Sequence, residues 1–578
     1  MLSLTVQHPK IIWGDTFSLA IEQAGWFAVR VLATAYSAAV WGVEAYAIEV
    51  EVNCGYGVPA VVVVGLPDAA VRESRDRVKT AIENSGFKFP FGRTTINLAP
   101  ADVKKEGPGF DLPMALGILA ASEQMGAEVL ADTWVVGELA LTGDVRGVKG
   151  ALAIALAAAK AGVRRLLVPS TNALEAAAVA ELEVHGIQNL REAVDFLKGG
   201  LPLSRVTVDP AVLLAGAEGM ADLDFADVKG QEHVKRALEV AVSGGHNILL
   251  IGPPGTGKSM LAKRLPSIFP PLTLEEALET TKIHSVAGLV PSEVGLVKSR
   301  PFRSPHHTAS EVGLVGGGSY PQPGEVSLAH HGVLFLDEFP EFKRQAIEVM
   351  RQPLEDGKVT ITRASGTVAF PAQFMLVAAM NPSPTGGFLD ARSGKITAAE
   401  MSRYLNKISG PILDRIDLHV EVPQLKREII LRAARGESSD TIRQRVIAAR
   451  AIQLARFGAA NVAISKASGA KKRGTGKTGS ALASPITGAA AAASVGVSKV
   501  RCNAQMGPRE LRAYCKLNQA AEDMMSMALN DLNLSARAHD RILKVARTIA
   551  DLDAVPDIQE DHIMEAIQYR TLDRQVWG

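Results

Sequence analysis

Cysteine is scarce in this chain. Its 578 residues hold three, Cys54, Cys502 and Cys515, with no close pair and no ligand spacing. That excludes a disulfide scaffold and a cysteine-ligated zinc site, and it fits a reducing, cytoplasmic setting. A surplus of charge is also lacking. The formal net charge is +1, so a nucleic-acid surface has to be local rather than spread over the molecule. Long apolar runs are missing too. Only Gly25 to Gly42 approaches a membrane span, Arg30 interrupts it, and no clear cleavage site follows, so no membrane partner is expected. The length predicts roughly three to four domains with ample core.

What the chain does carry is a phosphate-loop pattern. Asn247 to Ser259 reads NILLIGPPGTGKS, a short apolar run, a glycine-rich turn and then a helix-compatible MLAKRL. The residues Gly252, Pro253, Pro254, Gly255, Thr256, Gly257, Lys258 and Ser259 meet the spacing G-x-x-x-x-G-K-S. Such a loop turns backbone N–H groups inward around a phosphate. The lysine then reaches the β/γ-phosphates, and the serine hydroxyl is placed to ligate Mg²⁺. A helix N-terminus behind the loop adds partial positive charge. A similar string, Gly474 to Thr478, is a decoy. Lys471 stands where the first glycine is needed, and no apolar strand precedes it.

The first 34 residues show no pattern. Strands are expected at Val43 to Val52, Ala60 to Val64, Thr94 to Leu98, Trp134 to Val136 and Arg165 to Val168. Helices are expected at Arg72 to Asn84, Pro113 to Glu123 and Gly150 to Ala161. This is an α/β or α+β domain over residues 35–198, followed by a linker over 199–223. The next module, 224–424, opens with a helix that packs beside the nucleotide's base. It then offers a second buried run, Val333 to Leu336, ending in Asp337 and Glu338. Two carboxylates at a strand's end form the other half of an ATPase site: Asp337 holds Mg²⁺ through water and Glu338 polarises the attacking water. A third run, Phe374 to Ala379, ends at Met380-Asn381, where the Asn381 amide can bond the water or the γ-phosphate. Arg415 sits between apolar residues and needs an anionic partner, the ordinary candidates being Asp414 and Asp417. Helices dominate 425–578, interrupted by an Ala/Ser/Gly/Lys-rich stretch over 463–499 that reads as a flexible insertion. Lys358 to Phe370 reads as a hairpin turning at Ala364-Ser365-Gly366, with Arg363 at its tip as a DNA contact. The glycine-rich stretch Gly313 to Gly324, after Ser304-Pro305-His306-His307, is the second candidate for such a contact.

Long strings carry a resemblance over about Tyr36 to Arg574. Among them are INLAPADVKKEGPGFDLPMALG, GGHNILLIGPPGTGKSMLA, RPFRSPHHTAS, PGEVSLAHHGVLFLDEFPEF, VAAMNPSPTG and RYLNKISGPILDRIDLHVEVP. The chain resembles the magnesium-chelatase-like AAA+ ATPases of the YifB/ComM family. The resemblance implies an amino-terminal Lon-protease-like (ribosomal S5-type) α+β domain, an AAA+ P-loop NTPase core of α/β class and a carboxy-terminal helical lid. It further implies ATP and Mg²⁺ as cofactors and a homo-oligomer, a hexameric ring motor. Such motors drive branch migration of single-stranded or branched DNA in recombination, alongside other recombination proteins. By position, Gly252 to Ser259 match Walker A, Asp337 and Glu338 match Walker B, and Asn381 matches sensor 1. Arg415 matches the arginine finger and Arg537 the sensor-2 arginine, a role the lid alone does not suggest.

The chain departs from that pattern in three places. Ser383-Pro384-Thr385-Gly386 stands where many relatives carry cysteines, so zinc has no ligands there; the other departures are the insert and the leader before Tyr36. Two other functions compete with the motor. A chelatase-like or chaperone-like ATPase subunit without a DNA role is the first. An ATP-dependent protease is the second, and it lacks its nucleophile. The segment is Gly107-Pro108-Gly109 where a Lon protease has Gly-Pro-Ser, and an ungapped reading puts Leu152 where the lysine belongs.

Overall fold

Burial alternates along Glu44–Gly55, with Ile48, Val50 and Val52 inward and Glu49 and Glu51 outward. That is the period-two pattern of a strand covered on one face. The computed structural model describes residues 32–102, 104–215, 223–364, 366–385, 397–425, 435–470, 500–531 and 535–572. The chain forms two compact units, one of residues up to Val40 with Glu44–Thr207, the other of Trp41–Val43 with Val208–Gly578.

The first unit is a seven-stranded mixed sheet. Its strands are β1 (Leu32–Trp41), β2 (Glu44–Gly55), β3 (Ala60–Val64), β4 (Arg93–Ala99), β5 (Thr133–Val135), β6 (Arg165–Pro169) and β7 (Glu183–Ile187). They lie in the order β3-β4-β2-β1-β5-β6-β7. Helices α1 (Ala69–Asn84) and α2 (Asp111–Ala121) join the inward side chains of β2 and β4 in one core. Every residue of α2 is buried. That includes Asp111, whose carboxylate takes a 2.6 Å hydrogen bond from Arg77. Leu152 is fully buried in α3 (Ala151–Lys160), and its N–H donates to Glu175 at 2.9 Å.

The second unit is built on five parallel strands: β8 (Ile248–Ile251), β9 (Phe302–Arg303), β10 (Val333–Leu336), β13 (Met375–Met380) and β14 (Leu418–Glu421). A separate hairpin pairs β11 (Lys358–Arg363) with β12 (Gly366–Pro371). The sheet order is β9-β10-β13-β8-β14, which puts β13 between the phosphate-loop strand and the strand before Asp337. Ile248 and Leu250 face one hydrophobic cluster, Leu249 and Ile251 the other. Burial on both faces is why these strands read as unbroken apolar runs.

The first of those clusters also takes in α5 (Glu232–Gly244) and lid helices. Val446 comes from α9 (Ser439–Ala470) and Ile542 from α12 (Ala536–Leu552). Helix α9 corrects one expectation. It continues to Ala470, eight residues into the stretch read as a flexible insertion from Ala463. Alanine-rich sequence has high helix propensity, and the helix propagates through it. Residues 471–499, the leader before Leu32 and Ser365 in the hairpin turn lie outside the described residues. Among the described residues no helix is long and apolar enough to cross a membrane, and Leu32 to Trp41, part of the apolar stretch noted above, is strand.

Candidate nucleotide site

Parallel pairing sets the ends of β8, β13 and β10 side by side: Ile251 pairs with Met380, and Leu336 with Ala378. The loops that leave these strands therefore open on one edge, the carboxyl edge where parallel sheets bind ligands. After β8 the chain cannot carry a side chain at Gly252, whose Cβ would lie 2.2 Å from the Val422 carbonyl oxygen. Gly257 takes φ +92°, and helix α6 (Lys258–Arg264) starts immediately behind it.

The edge holds a cleft of about 530 Å³. Its lining includes Lys258, Ser259, Asp337, Glu338, Asn381 and Tyr404. Lys258 Nζ donates to the carbonyls of Gly252 (2.7 Å) and Pro253 (2.9 Å) and to Asn381 Oδ1 (3.2 Å). Burial pushes its pKa down, and the Asp337 carboxylate works against that shift. Ser259 Oγ donates to Asp337 Oδ2 at 2.5 Å. A hydroxyl and a carboxylate this close are hard oxygen donors of the kind Mg²⁺ takes, so the pair fits that ion. Glu338 adopts φ +53°, uncommon for a residue with a side chain, and leaves its carboxylate half exposed at the cleft.

The two arginines are elsewhere. Arg415 and Arg537 line a second cavity of about 170 Å³ with Glu355, Asp414, Asp540, Arg541 and Lys544, and it shares no lining residue with the cleft. Arg415 is buried. Its anionic partner is Glu355, neither of the two aspartates expected, and Nη1 also donates to the Pro411 carbonyl at 2.5 Å. Folding brings Glu355, on the short helix Arg351–Asp356, against it from 60 residues away in sequence, which local spacing could not disclose. Arg537 is 64% exposed, with Asp414 at 4.0 Å. Asp417 instead belongs to a buried network with His246 (3.1 Å) and Arg541. Arg363 is the last paired residue of β11 and donates to the Gly318 carbonyl at 3.3 Å, so the two candidate DNA-contacting segments touch.

Sequence reasoning missed three features. Tyr404 lines the cleft from α8 (Ala398–Leu405) and donates to the Asn381 carbonyl at 3.1 Å. His307 reaches Glu338. Glu279, on α7 (Leu274–Ala287), forms a cluster with His330 and His331 whose ligand atoms lie within 4.8 Å of one another. That cluster does not suit a metal ion. His330 Nδ1 accepts the Gln373 N–H at 3.0 Å, so neutral His330 keeps its proton on Nε2, the atom facing Glu279. Arg501 adds a positive group 3.4 Å from His331 Nε2.

Family models match three stretches of the chain. The model described as "Magnesium chelatase, subunit ChlI" matches residues 224–430, "Subunit ChlI of Mg-chelatase" matches 50–172, and the ChlI carboxy-terminal model matches 436–570. Fold and matches together define an AAA+-type ATPase of the magnesium-chelatase-like class. Competence protein ComM of Haemophilus influenzae is 44% identical over 548 residues, 94% of this chain and 98% of that protein. YifB of Salmonella typhimurium is 42% identical over 544 residues, again 94% and 98%. The chain belongs to the YifB/ComM family. A partial match, 30% over 169 residues, links 26% of the chain to 28% of Lon protease 2 of Bacillus subtilis.

Proposed function

We propose that the protein is an ATP-hydrolysing ring motor that acts on branched or single-stranded DNA. The observation that carries the ATP half is the single cleft in which Lys258, Ser259, Asp337, Glu338 and Asn381 meet. In this reading the loop N–H groups and Lys258 bind the phosphates, giving up carbonyl contacts that Lys258 otherwise keeps. Ser259 and Asp337 would hold Mg²⁺, which when bound neutralises charge on the phosphate oxygens. Glu338 accepts a proton from the attacking water, and Asn381, steadied by Tyr404, orients it.

Arg415 and Arg537 lie together outside their own chain's cleft, which supports their serving the cleft of a neighbouring copy in a ring, a hexamer in this family's pattern. The amino-terminal unit is then a non-proteolytic Lon-like (S5-type) scaffold. Gly109 and the buried Leu152 leave it no serine–lysine pair. DNA enters through the name of the ComM relative, a competence protein, and through Arg363 at the hairpin tip.

The test is the ATPase rate of the purified protein with single-stranded, duplex and four-way-junction DNA. Stimulation by the junction is expected. Turnover indifferent to every DNA would overturn the motor and favour a chelatase-like role.

A further inference from the structure

The sheet of the first unit ends on β3, and the loops beside that edge keep apolar side chains in water. Phe91 is 97% exposed, Val58 83% and Tyr56 71%. Single exposed apolar residues are ordinary on a protein surface, but a group that includes two rings calls for a partner. These three are neighbours. Arg93 opens β4 and pairs with Gly55 on one side and with Ala60 on the other, so residues 56–59 cross the start of β4. Gly92, between Phe91 and Arg93, comes so close to that loop that a Cβ on it would lie 3.5 Å from Tyr56 Cα.

Phe91 is presented by an anchored segment. Residues 87–91 read FKFPF, and Phe87 and Phe89 pack against the core of the unit. Between them Lys88 is held by the Gln124 side chain, which accepts its N–H at 2.9 Å and donates to its carbonyl at 2.6 Å. Pro90 then fixes φ just before Phe91. The charge around the rings is of one sign. Residues 52–67 carry no charged side chain, and residues 85–101 carry Lys88 and Arg93, both exposed, and no acid. Two further cations reach the segment from helices. Lys79 of α1 lies 5.8 Å from the centre of the Phe89 ring, and Arg191 of the helix Leu190–Leu197 lies 5.2 Å from that of Phe87. Exposed rings set among cations suit an unpaired strand, whose bases stack on the rings while its phosphates meet the cations. A duplex hides the faces of its bases, and a second copy of this surface would bring cations against cations.

We propose that Tyr56 and Phe91, with Lys88 and Arg93, form a stacking platform for single-stranded DNA on the amino-terminal unit. The proposal rests on the DNA half of the reading given above, and it names the form of DNA that this unit takes.

The test is a fluorescence-anisotropy titration of the full-length protein against labelled oligo-dT of about 20 nucleotides and a blunt duplex of the same length. Wild type is compared with Tyr56→Ala, Phe91→Ala, Phe91→Trp and Arg93→Ala, each repeated in an Arg363→Ala background so that the hairpin cannot mask the platform. Tyr56→Ala and Phe91→Ala should each weaken oligo-dT binding roughly 5- to 100-fold, the loss of one stacked base, and leave duplex binding within about twofold. Phe91→Trp should bind at least as tightly as wild type, with its added indole emission quenched by the strand. Arg93→Ala should lower the salt slope of oligo-dT binding by about 0.7. Basal ATPase should stay within about twofold in the platform variants, since none of these residues lines the cleft. Unchanged oligo-dT affinity in both alanine variants, or equal losses for duplex and single strand, overturns the platform. So does a loss of binding accompanied by a smaller particle in analytical ultracentrifugation, which makes the surface an interface between copies. If the alanine variants lose the oligo-dT that wild type binds, but no DNA raises ATP turnover, the platform stands and the motor reading fails. If a four-way junction raises turnover equally in all of them while oligo-dT affinity is unchanged, the platform fails and the motor reading stands.

Discussion

His330 illustrates how much a single buried residue can set. Burial pushes its pKa down to about 4 from an ordinary 6.5, against the opposing pull of Glu279. Glu279 is itself held below its ordinary value by hydrogen bonds from His330 and His331. A folded pKa below the unfolded one means that the unfolded chain takes the proton first as pH falls. Stability is then present above pH 6.5 and is lost on descending toward 4. The Glu279 contribution is lost at lower pH, below its unfolded value of 4.5. We therefore expect the thermal midpoint to drop steeply between pH 6.5 and 4, and His330→Gln to flatten that drop. Equal slopes for the two proteins in a circular-dichroism melting series would exclude this role. Neither residue was legible beforehand, whereas Lys258, Ser259 and Asp337 were. The phosphate loop is local, with its chemistry in eight consecutive positions. Tyr404, His307 and Glu279 act on groups far away in sequence, and only the sheet order brings them there.

Among the elements, β8 and β14 are fastened at their base by polar groups rather than by packing alone. The Asn247 side chain donates to the Arg415 carbonyl at 2.9 Å and accepts from Leu376 N at 2.8 Å. Beside it, His246 bridges Asp417 and Thr548 of α12. Burial would raise the Asp417 pKa, but Arg541 and His246 outweigh it and hold the carboxylate below its usual range. Asp417→Ala leaves a cation and an imidazole without their anion, and should cost about 3 kcal/mol in urea unfolding. A loss under about 1 kcal/mol would show the network to be incidental. The hairpin invites a different measurement. Arg363→Ala should keep basal ATPase, lose DNA stimulation and lower the salt slope of DNA binding by about one. Unaltered junction binding and salt slope would remove Arg363 from the DNA contact. Doubly covered strands such as Val333–Leu336 were legible as apolar runs. β1 was not, since LATAYSAAVW is rich in small residues and sits mid-sheet between β2 and β5, with little contrast between its faces. The two-residue β9 is too short to leave any period.

At the scale of the whole molecule, the residues proposed for ATP turnover lie in two places. The cleft holds the phosphate loop and both carboxylates; Arg415 and Arg537 line a cavity of their own. Deletion of residues 471–499, joining α9 to the chain before Val500, should leave basal ATPase within about twofold, because changing the length of a connection changes closure entropy little. A tenfold loss would make the segment part of the fold. The two arginines matter more. An arginine supplied in trans is worth about 10³- to 10⁵-fold in well-studied phosphoryl-transfer enzymes, so Arg415→Ala should nearly abolish turnover while ATP binding persists. Glu338→Gln should also be inactive, for a defect in the other half of the site. The most direct measurement is turnover after the two inactive proteins are mixed and allowed to exchange subunits. A composite site predicts partial recovery, since intact Arg415 of one copy then faces intact Glu338 of the next. No recovery from mixed rings in which both variants still bind ATP would contradict a site shared between subunits.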